Sequence, residues 1–321
     1  MEGLQQLSFN IIAALQNLSP ALDGVMNAIT FLGRLEFYLL LLTFIYLAYD
    51  RRLGFRLVLM LIFTDLLGMV SKLLFHQPRP YWLRPELKIA EETSYGIPST
   101  HASSSMAVWG YLVYKLNKTW LWITAGLFVF FIALSRLYLG VHFLHDILFG
   151  WLIGVLMILI FVACDKPLSA WAAKLSLGMQ VLVALAASIV IVLIGQLVNG
   201  LISGVTDPES WRALAAEART INYSINHAGA IFGALTGYAL MRKYAPFSSQ
   251  GKWSMRLARF ALGFLGVLVI YFGLDVLFGM IAGDESVLGL ALRFIRYGLV
   301  NFWVIFLAPW LFLKVRLAQR E

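Results

Sequence analysis

Residues 135–146, SRLYLGVHFLHD, place two histidines and an aspartate at the start of a predicted apolar helix. His142 and Asp146 are four positions apart and therefore share a helix face. A carboxylate there can accept a hydrogen bond from one imidazole nitrogen, which leaves the other nitrogen basic and directed outward. Such an imidazole could attack phosphorus and form a phosphohistidine. The alternative is a structural His–Asp pair that caps the helix.

A metal site is the second alternative for this stretch. His142, His145 and Asp146 could supply ligands, two of them on one helix face. Catalytic Zn²⁺ usually takes three protein ligands and a water, and no further His or Cys with ligand spacing lies nearby. We therefore expect no metal and no cofactor.

Residues 98–101, PSTH, have the pattern of a helix N-terminus. Pro98 pre-sets the first turn, and Ser99 can cap it. The Ser99 hydroxyl and the N–H groups of Thr100 and His101 could then hold a phosphate oxygen, and His101 could protonate a leaving alkoxide. The alternative is an ordinary polar helix start.

Residues 72–80, KLLFHQPRP, add two cations at the end of an apolar segment. The two prolines around Arg79 predict a stop to the helix and an extended backbone at that residue. Lys72, Arg79 and Arg136 together could surround the charge of a transferring phosphoryl group. Snorkelling to the membrane surface would alternatively explain Lys72, and interface anchoring would explain Arg136.

The composition is that of a membrane protein. Of the 321 residues, 60% are hydrophobic and 13% are charged, whereas about a quarter are charged in soluble domains. The net charge of +8 comes from Lys and Arg spread over short loops. We therefore expect the bilayer as partner, with no nucleic acid, and a multi-pass location in a membrane of the bacterial plasma-membrane type.

The hydropathy pattern predicts an all-α fold, a polytopic membrane helix bundle with about nine transmembrane helices. Arg34 and Glu36 interrupt the first span, and residues 4–17 predict an amphipathic helix at the interface. The predicted spans are 29–49, 54–75, 98–115, 119–139, 142–163, 176–197, 223–241, 257–282 and 291–313.

The placement of Lys and Arg predicts the orientation of the chain. With nine spans, the loops on one side and the C-terminal tail hold 15 of the 25 Lys and Arg residues. This side, including the C-terminus, is expected to be cytoplasmic. The three motif stretches then lie together on the periplasmic, extracellular or lumenal side.

Small and polar residues outside the motifs predict contacts within the bundle. Glycines four apart predict close helix packing; they are Gly150 and Gly154; Gly229, Gly233 and Gly237; and Gly279 and Gly283. A polar cluster in the seventh predicted span either hydrogen-bonds between helices or contacts a substrate headgroup; it comprises Asn222, Tyr223, Asn226 and His227. Asp275 lies deep in the eighth span, and no partner for it is predicted.

Together the motif stretches form one ordered pattern. It reads Lys, six residues, Arg-Pro; then Pro-Ser-Thr-His; then Ser-Arg, five residues, His, three residues, Asp. This pattern resembles the type 2 phosphatidic acid phosphatase superfamily, which also includes glucose-6-phosphatase and the vanadium haloperoxidases. The resemblance is specific over residues 72–146. It implies chemistry without a metal and a phosphatase core in residues 1–165, with additional transmembrane helices of the same membrane domain in residues 166–321.

The resemblance also implies a role for each matching residue. His142 would be the nucleophile, Asp146 its partner and His101 the general acid. The phosphate-binding positions would be Lys72, Arg79, Ser99, Thr100, Ser135 and Arg136. One departure is Thr100, since many family members have glycine there. Glycine would allow a closer backbone approach to an anion, but threonine keeps the N–H group.

The function expected from these features is hydrolysis of a lipid phosphate monoester or pyrophosphate at the non-cytoplasmic face, through a phosphohistidine. The PSTH stretch is similar to sphingosine-phosphate phosphatases, whereas RPYW at residues 79–82 and the span count are similar to glucose-6-phosphatase. Sugar-phosphate hydrolysis therefore stays open. So do phosphate transfer to a lipid or sugar hydroxyl, and a transporter or binding protein with a vestigial site. The sequence determines neither the lipid nor the oligomeric state.

Overall fold

The computed structural model describes residues 2–321, and the regular elements among them are helical, as predicted. Short π-helical turns follow α3, α12 and α14, and 3₁₀ turns cover Pro85–Leu87 and Ala216–Ala218. The α-helices are α1 Glu2–Gln16, α2 Asp23–Phe31, α3 Leu35–Phe44, α4 Arg51–Phe75, α5 Pro80–Leu83, α6 Thr100–Leu116, α7 Thr119–Tyr138, α8 Leu144–Lys174, α9 Leu177–Ile202, α10 Arg212–Ala215, α11 Asn222–Tyr244, α12 Trp253–Leu268, α13 Leu274–Gly279, α14 Val287–Phe302 and α15 Ala308–Lys314.

Within residues 2–321, six helical segments are long and apolar enough to cross a membrane, or seven if the bent pair α2 and α3 is one span. The predicted count of about nine is therefore not confirmed. Helices are present at the two other predicted positions, α6 and α11. The first has only 17 residues, and the second has 23 residues but begins with a polar turn.

Two predicted spans have different boundaries in the structure. The first predicted span breaks between Phe31 and Leu35 and bends by 49°, at the Arg34 that interrupts its apolar run. In contrast, α8 extends beyond its predicted end near residue 163 and continues through Pro167 to Lys174. Its 31 residues span roughly 46 Å, whereas the hydrocarbon core is about 30 Å thick. The helix is therefore longer than a perpendicular crossing of this layer requires.

The chain forms two compact units. Unit 1 comprises residues 1–37, 63–161 and 197–220. Unit 2 comprises residues 38–62, 162–196 and 221–321. All three motif stretches lie in unit 1. The division at residue 165 into a core and additional helices stays a prediction.

In unit 1, α6 and α8 pack closely because α8 has glycine at the contact. A Cβ at Gly150 would lie 2.5 Å from the carbonyl oxygen of Ser99, and a Cβ at Gly154 would lie 2.6 Å from Cβ of Met106. The predicted packing role of this glycine pair is confirmed. The contact brings the N-terminus of α6 against the first turns of α8.

In unit 2, Gly229 and Gly233 lie against the backbone of α14 at Phe294 and Gly298, as the glycine spacing predicts. The third pair behaves differently, since a Cβ at Gly279 or Gly283 would meet no described heavy atom within 4 Å. That packing prediction is wrong. These two glycines lie near the turn that ends α13, where the chain is exposed.

Asp275 and His227 of unit 2 both have partners within the protein. Asp275 forms an ion pair with Arg296 of α14, so this acid is paired within the protein. His227 lies near Tyr223 in its own helix, with Nδ1 2.6 Å from the Tyr223 carbonyl oxygen. This contact is within α11 and not between helices.

We predict that Gly150→Ala destabilises the protein by about 1–3 kcal/mol, because the new methyl group overlaps the backbone of α6. Gly126 of α7 is the matched control, since a Cβ there would meet no described atom within 4 Å. Gly126→Ala should leave stability unchanged or slightly raised. Thermal unfolding in detergent measures both variants, and equal melting temperatures would contradict the packing role.

Candidate active site

The turn between α7 and α8 positions His142. Helix α7 ends at Tyr138, and Gly140 follows with a left-handed φ of +71°. A side chain at this position would collide with the carbonyl group of Leu87, so the turn requires glycine. The chain then runs without helical structure until α8 begins at Leu144. His142 therefore lies just before the helix that carries Asp146.

The predicted imidazole–carboxylate contact is present. Nδ1 of His142 lies 3.1 Å from Oδ2 of Asp146. The same oxygen accepts a hydrogen bond from the backbone N–H of Phe143 at 2.9 Å. Both side chains are buried. The carboxylate thus fixes the ring of His142 and leaves Nε2 on the opposite side of the imidazole.

Arg79 lies on that opposite side. Its Nη1 is 3.3 Å from Nε2 of His142 and donates to the carbonyl oxygen of Val141 at 2.8 Å. Its Nε donates to the carbonyl oxygen of Ser94 at 2.5 Å, and its Nη2 donates to the Ser94 hydroxyl at 2.9 Å. The backbone at Arg79 is extended, with φ −89° and ψ 159°, as the flanking prolines predict. The guanidinium is therefore held facing the nucleophile candidate.

Lys72, in the last turn of α4, is buried beside the same segment. Its Nζ donates to the carbonyl oxygens of Tyr95 at 2.6 Å and Gly96 at 3.2 Å. Lys72 and Arg79 thus share the carbonyl groups of residues 94–96. This contact to internal carbonyl groups does not fit the snorkelling alternative.

The N-terminus of α6 lies against the cluster that Lys72, Arg79, His142 and Asp146 form. Ser99 has extended dihedral angles, and its hydroxyl accepts a hydrogen bond from the N–H of Ala102 at 3.4 Å, so it caps the helix as predicted. Its own N–H donates to the carbonyl oxygen of Asp146 at 2.9 Å. The methyl group of Thr100 packs against Gly68. A Cβ at position 68 would lie 2.9 Å from this methyl carbon. Glycine at position 68 therefore provides space for threonine at position 100.

His101 is directed toward Gly33 and α7. A Cβ at Gly33 would lie 2.8 Å from Cδ2 of His101 and 3.0 Å from a methyl carbon of Ile132. The Nε2 atom of His101 is buried and has no hydrogen-bond partner within the described residues. An unsatisfied buried nitrogen of this kind is available to a substrate.

Arg136 is buried at the end of α7 and has two partners. Its Nη1 donates to Oγ1 of Thr30 at 2.7 Å, and its Nη2 contacts the carboxylate of Glu92. Burial alone would raise the pKa of Glu92, but Arg136 and then Arg79 outweigh burial and hold that pKa well below its ordinary value. The sequence analysis missed Glu92. Its signal was an acidic pair, residues 91 and 92, in the loop between two cationic motifs.

Ser135 is buried, and its hydroxyl donates to the carbonyl oxygen of Ile132 at 2.6 Å. This bond lies within α7 and uses the hydroxyl proton. A contact between Ser135 and phosphate stays a prediction.

The loop of residues 203–220 also contacts the segment that holds the cluster. The hydroxyl of Tyr95 lies 3.0 Å and 3.1 Å from the two carboxylate oxygens of Asp207, and Nε of Arg219 donates to the same hydroxyl at 2.9 Å. Burial and Asp207 raise the pKa of Tyr95 to about 12, so the hydroxyl keeps its proton. The sequence does not predict this network, because Tyr95 is more than 100 positions from both Asp207 and Arg219.

His145 occupies a different environment from His142. Its Nε2 lies 3.3 Å from the other carboxylate oxygen of Asp146. Its ring stacks on Phe143, with the ring centroids 5.2 Å apart. Within residues 2–321, no group of three or more His, Cys, Asp or Glu side chains is arranged to hold a metal.

The electrostatics of the cluster favour a neutral imidazole at position 142. Burial lowers the pKa of His142 well below its ordinary value, and the neighbouring Arg79 and Lys72 lower it further. A neutral imidazole, three buried cations and a helix N-terminus therefore converge in unit 1. This combination is suited to a nucleophilic attack on a multiply charged oxyanion.

Family models match the whole motif region and the C-terminal helices. The model described as PAP2 superfamily matches residues 53–169. The model described as PAP2 superfamily phosphatase, transmembrane extension, matches residues 225–320. Phosphatidylglycerophosphatase B of Bacillus subtilis is 30% identical over 175 residues, which cover 50% of this chain and 84% of the relative. This chain belongs to the PAP2 superfamily. It is a multi-pass integral membrane protein.

A further relative agrees with this membership, and one solved structure is also similar. An undecaprenyl-diphosphatase of Sulfolobus acidocaldarius is 31% identical over 161 residues, covering 47% of this chain and 76% of the relative. The crystal structure of a transmembrane PAP2 type phosphatidylglycerolphosphate phosphatase from Bacillus subtilis matches with a TM-score of 0.46 and 27% identity. That match covers 52% of this chain and 88% of the solved one.

We predict that the acidic limb of the pH profile of kcat/KM lies below about pH 6.5, the ordinary pKa of histidine. As the predicted nucleophile, His142 must be neutral to attack, and its lowered pKa keeps it neutral further into acid. Two substrates whose phosphate groups ionise at different pH values separate the enzyme limb from the substrate limb. An acidic limb near pH 7.5 for both substrates would contradict a neutral His142 in the resting protein.

Proposed function

We propose that this protein is an integral membrane phosphatase that hydrolyses a phosphate monoester or diphosphate carried by a membrane lipid. One observation carries the proposal. The imidazole of His142 is held by Asp146 at 3.1 Å on one nitrogen and faces Arg79 at 3.3 Å on the other. A nucleophile fixed beside a guanidinium fork is the arrangement that in-line attack on a phosphoryl group requires.

In the first step, Nε2 of His142 attacks phosphorus, and the bond to the ester oxygen breaks. Arg79, Lys72 and Arg136 balance the charge on the phosphoryl oxygens. The Ser99 hydroxyl and the N–H groups at the start of α6 bind a further oxygen. His101 takes up a proton when the phosphoryl dianion binds beside it and then donates this proton to the leaving oxygen, while Asp146 stabilises the positive charge that develops on His142.

In the second step, water attacks the phosphohistidine. His101 is now neutral and accepts a proton from the water while the P–N bond breaks. Inorganic phosphate is released, and His142 returns to its resting state. The unpartnered Nε2 of His101 supports this dual role, because no group among the residues that the structure describes competes for it.

A lipid substrate is supported by location and by relatives. The motif residues lie at the ends of apolar helices, where a headgroup can enter sideways from one leaflet. Two relatives are named for phosphatidylglycerophosphate and undecaprenyl diphosphate, which are a lipid phosphate monoester and a lipid diphosphate. The placement of Lys and Arg supports a site on the non-cytoplasmic side, with the C-terminus in the cytoplasm.

Purified protein in detergent should release phosphate from lipid phosphates faster than from glucose 6-phosphate, with EDTA present. The panel needs phosphatidylglycerophosphate, phosphatidate, undecaprenyl diphosphate and a sphingoid-base phosphate. His142→Ala is the control and should lose activity by roughly 10⁴-fold or more, because the nucleophile is gone. Preference for glucose 6-phosphate would overturn the lipid assignment, and undiminished turnover by the variant would overturn the mechanism.

We predict that His101→Ala slows alkyl phosphates by about 10²- to 10⁴-fold, the usual contribution of a general acid. A nitrophenyl phosphate should lose much less, because its leaving group needs no proton. Single-turnover rates with both substrates provide the measurement. Equal losses would show that His101 has another role.

A further inference from the structure

The contact between Arg136 and Glu92 occupies a residue that the proposed mechanism assigns to phosphate. Arg136 is 1% exposed, and its Nη2 already contacts an anionic oxygen, that of Glu92. Its Nη1 donates to Thr30 at 2.7 Å. Its Nε has no partner within the described part of the chain. A carboxylate and a phosphate present similar oxygen edges to a guanidinium, so both would use the same face of Arg136.

The backbone of Glu92 is fixed, whereas its side chain reaches solvent. The hydroxyl of Tyr81 accepts a hydrogen bond from the Glu92 N–H at 3.1 Å and donates to the Glu92 carbonyl oxygen at 2.9 Å. Tyr81 is 3% exposed, but the Glu92 side chain is 30% exposed. A change of side-chain rotamer alone can therefore move the carboxylate off Arg136, with no movement of the loop.

The carboxylate stays ionised when the site is empty. Burial would raise the pKa of Glu92, but Arg136 and Arg79 hold it well below its ordinary value. A phosphoryl group bound to Arg136 would bring a second anion next to this one. Two adjacent negative charges repel strongly in a buried site. The carboxylate and the phosphoryl group therefore exclude each other from Arg136.

We propose that the Glu92 carboxylate is an internal anion that occupies the phosphate-binding face of Arg136 and is displaced by the substrate phosphoryl group. This inference rests on the proposed function, in which Arg136 binds phosphate. The exchange keeps the buried guanidinium paired in the empty enzyme. It also weakens the binding of free phosphate, since the carboxylate returns when the product leaves.

The test compares anion binding by the intact protein and three single variants. Glu92→Gln keeps the size and the oxygen acceptor of the side chain but removes its charge. It should tighten inhibition by orthovanadate and by inorganic phosphate roughly tenfold, as expected when one neighbouring negative charge is removed from an anion site. Stabilisation of the protein by vanadate in thermal unfolding provides a readout that needs no turnover.

Glu91→Gln is the matched control. Glu91 is the neighbouring residue, but its carboxylate pairs with Lys88 at 2.9 Å, and both side chains are largely exposed. This variant loses the same charge without touching Arg136. It should bind vanadate as the unmodified protein does. Equal tightening by Glu91→Gln and Glu92→Gln would show a general charge effect and would overturn the proposal.

Arg136→Ala separates failure of this inference from failure of the proposed function. If vanadate binds Arg136→Ala as tightly as the unmodified protein, Arg136 is not a phosphate ligand, and its assigned role fails. If Arg136→Ala weakens binding while Glu92→Gln leaves it unchanged or also weakens it, the role of Arg136 stands. In that case Glu92 only orients Arg136, and the displacement proposal is overturned.

Discussion

The burial of three cations at one end of a helix bundle is the constraint on which the rest of the site depends. Lys72, Arg79 and Arg136 are each 1% exposed. Removing such charges from water costs several kcal/mol per ion unless partners replace the lost hydration. Most of the replacement comes from backbone carbonyl groups of residues 94–96 and 141. The cations therefore determine the path of the loop as much as the loop positions the cations.

Close helix packing sets the spacing between the two groups that must act together. Gly150 allows α8 to approach the carbonyl group of Ser99, and the Ser99 N–H donates to the carbonyl group of Asp146. The capped end of α6 is thereby fixed to the turn that carries His142. A larger residue at position 150 would separate the anion-binding N–H groups from the imidazole, and even a small separation is costly in a pre-organised site.

Contacts between residues that are close in the sequence can be predicted from their spacing along the chain. The prolines around Arg79 and the capping serine at position 99 each predict a local structure that is present. The four-residue interval predicts the contact between His142 and Asp146, but His142 precedes α8 and does not share a helix face with Asp146. The reasoning does not reach partners from remote segments, such as Thr30 for Arg136 or Asp207 for Tyr95. Those contacts depend on how the helices assemble. The predicted count of about nine spans is not confirmed: α6 has only 17 residues, and α11 begins with a polar turn.

The network around Tyr95 indicates that the second half of the chain contributes to the motif region. Residues 197–220 belong to unit 1, and Asp207 and Arg219 hold the Tyr95 hydroxyl. The carbonyl oxygen of the same tyrosine accepts from Lys72. A change in this loop can therefore alter the position of Lys72, a proposed phosphate ligand, without touching any motif residue.

Two acidic residues contact the basic groups of the site, and burial separates their roles. Asp146 is fully buried, and one oxygen is fixed by both the Phe143 N–H and the His142 ring. Its burial and these two contacts fix its position, and in the proposed mechanism it orients and stabilises the imidazole. Glu92 is anchored through its backbone, but its carboxylate reaches solvent. A carboxylate that can leave is compatible with a competing anion, whereas a carboxylate that cannot leave beside Arg136 would exclude phosphate permanently. In the proposed phosphate-binding site, the exposure of Glu92 is therefore what allows an acid at this position.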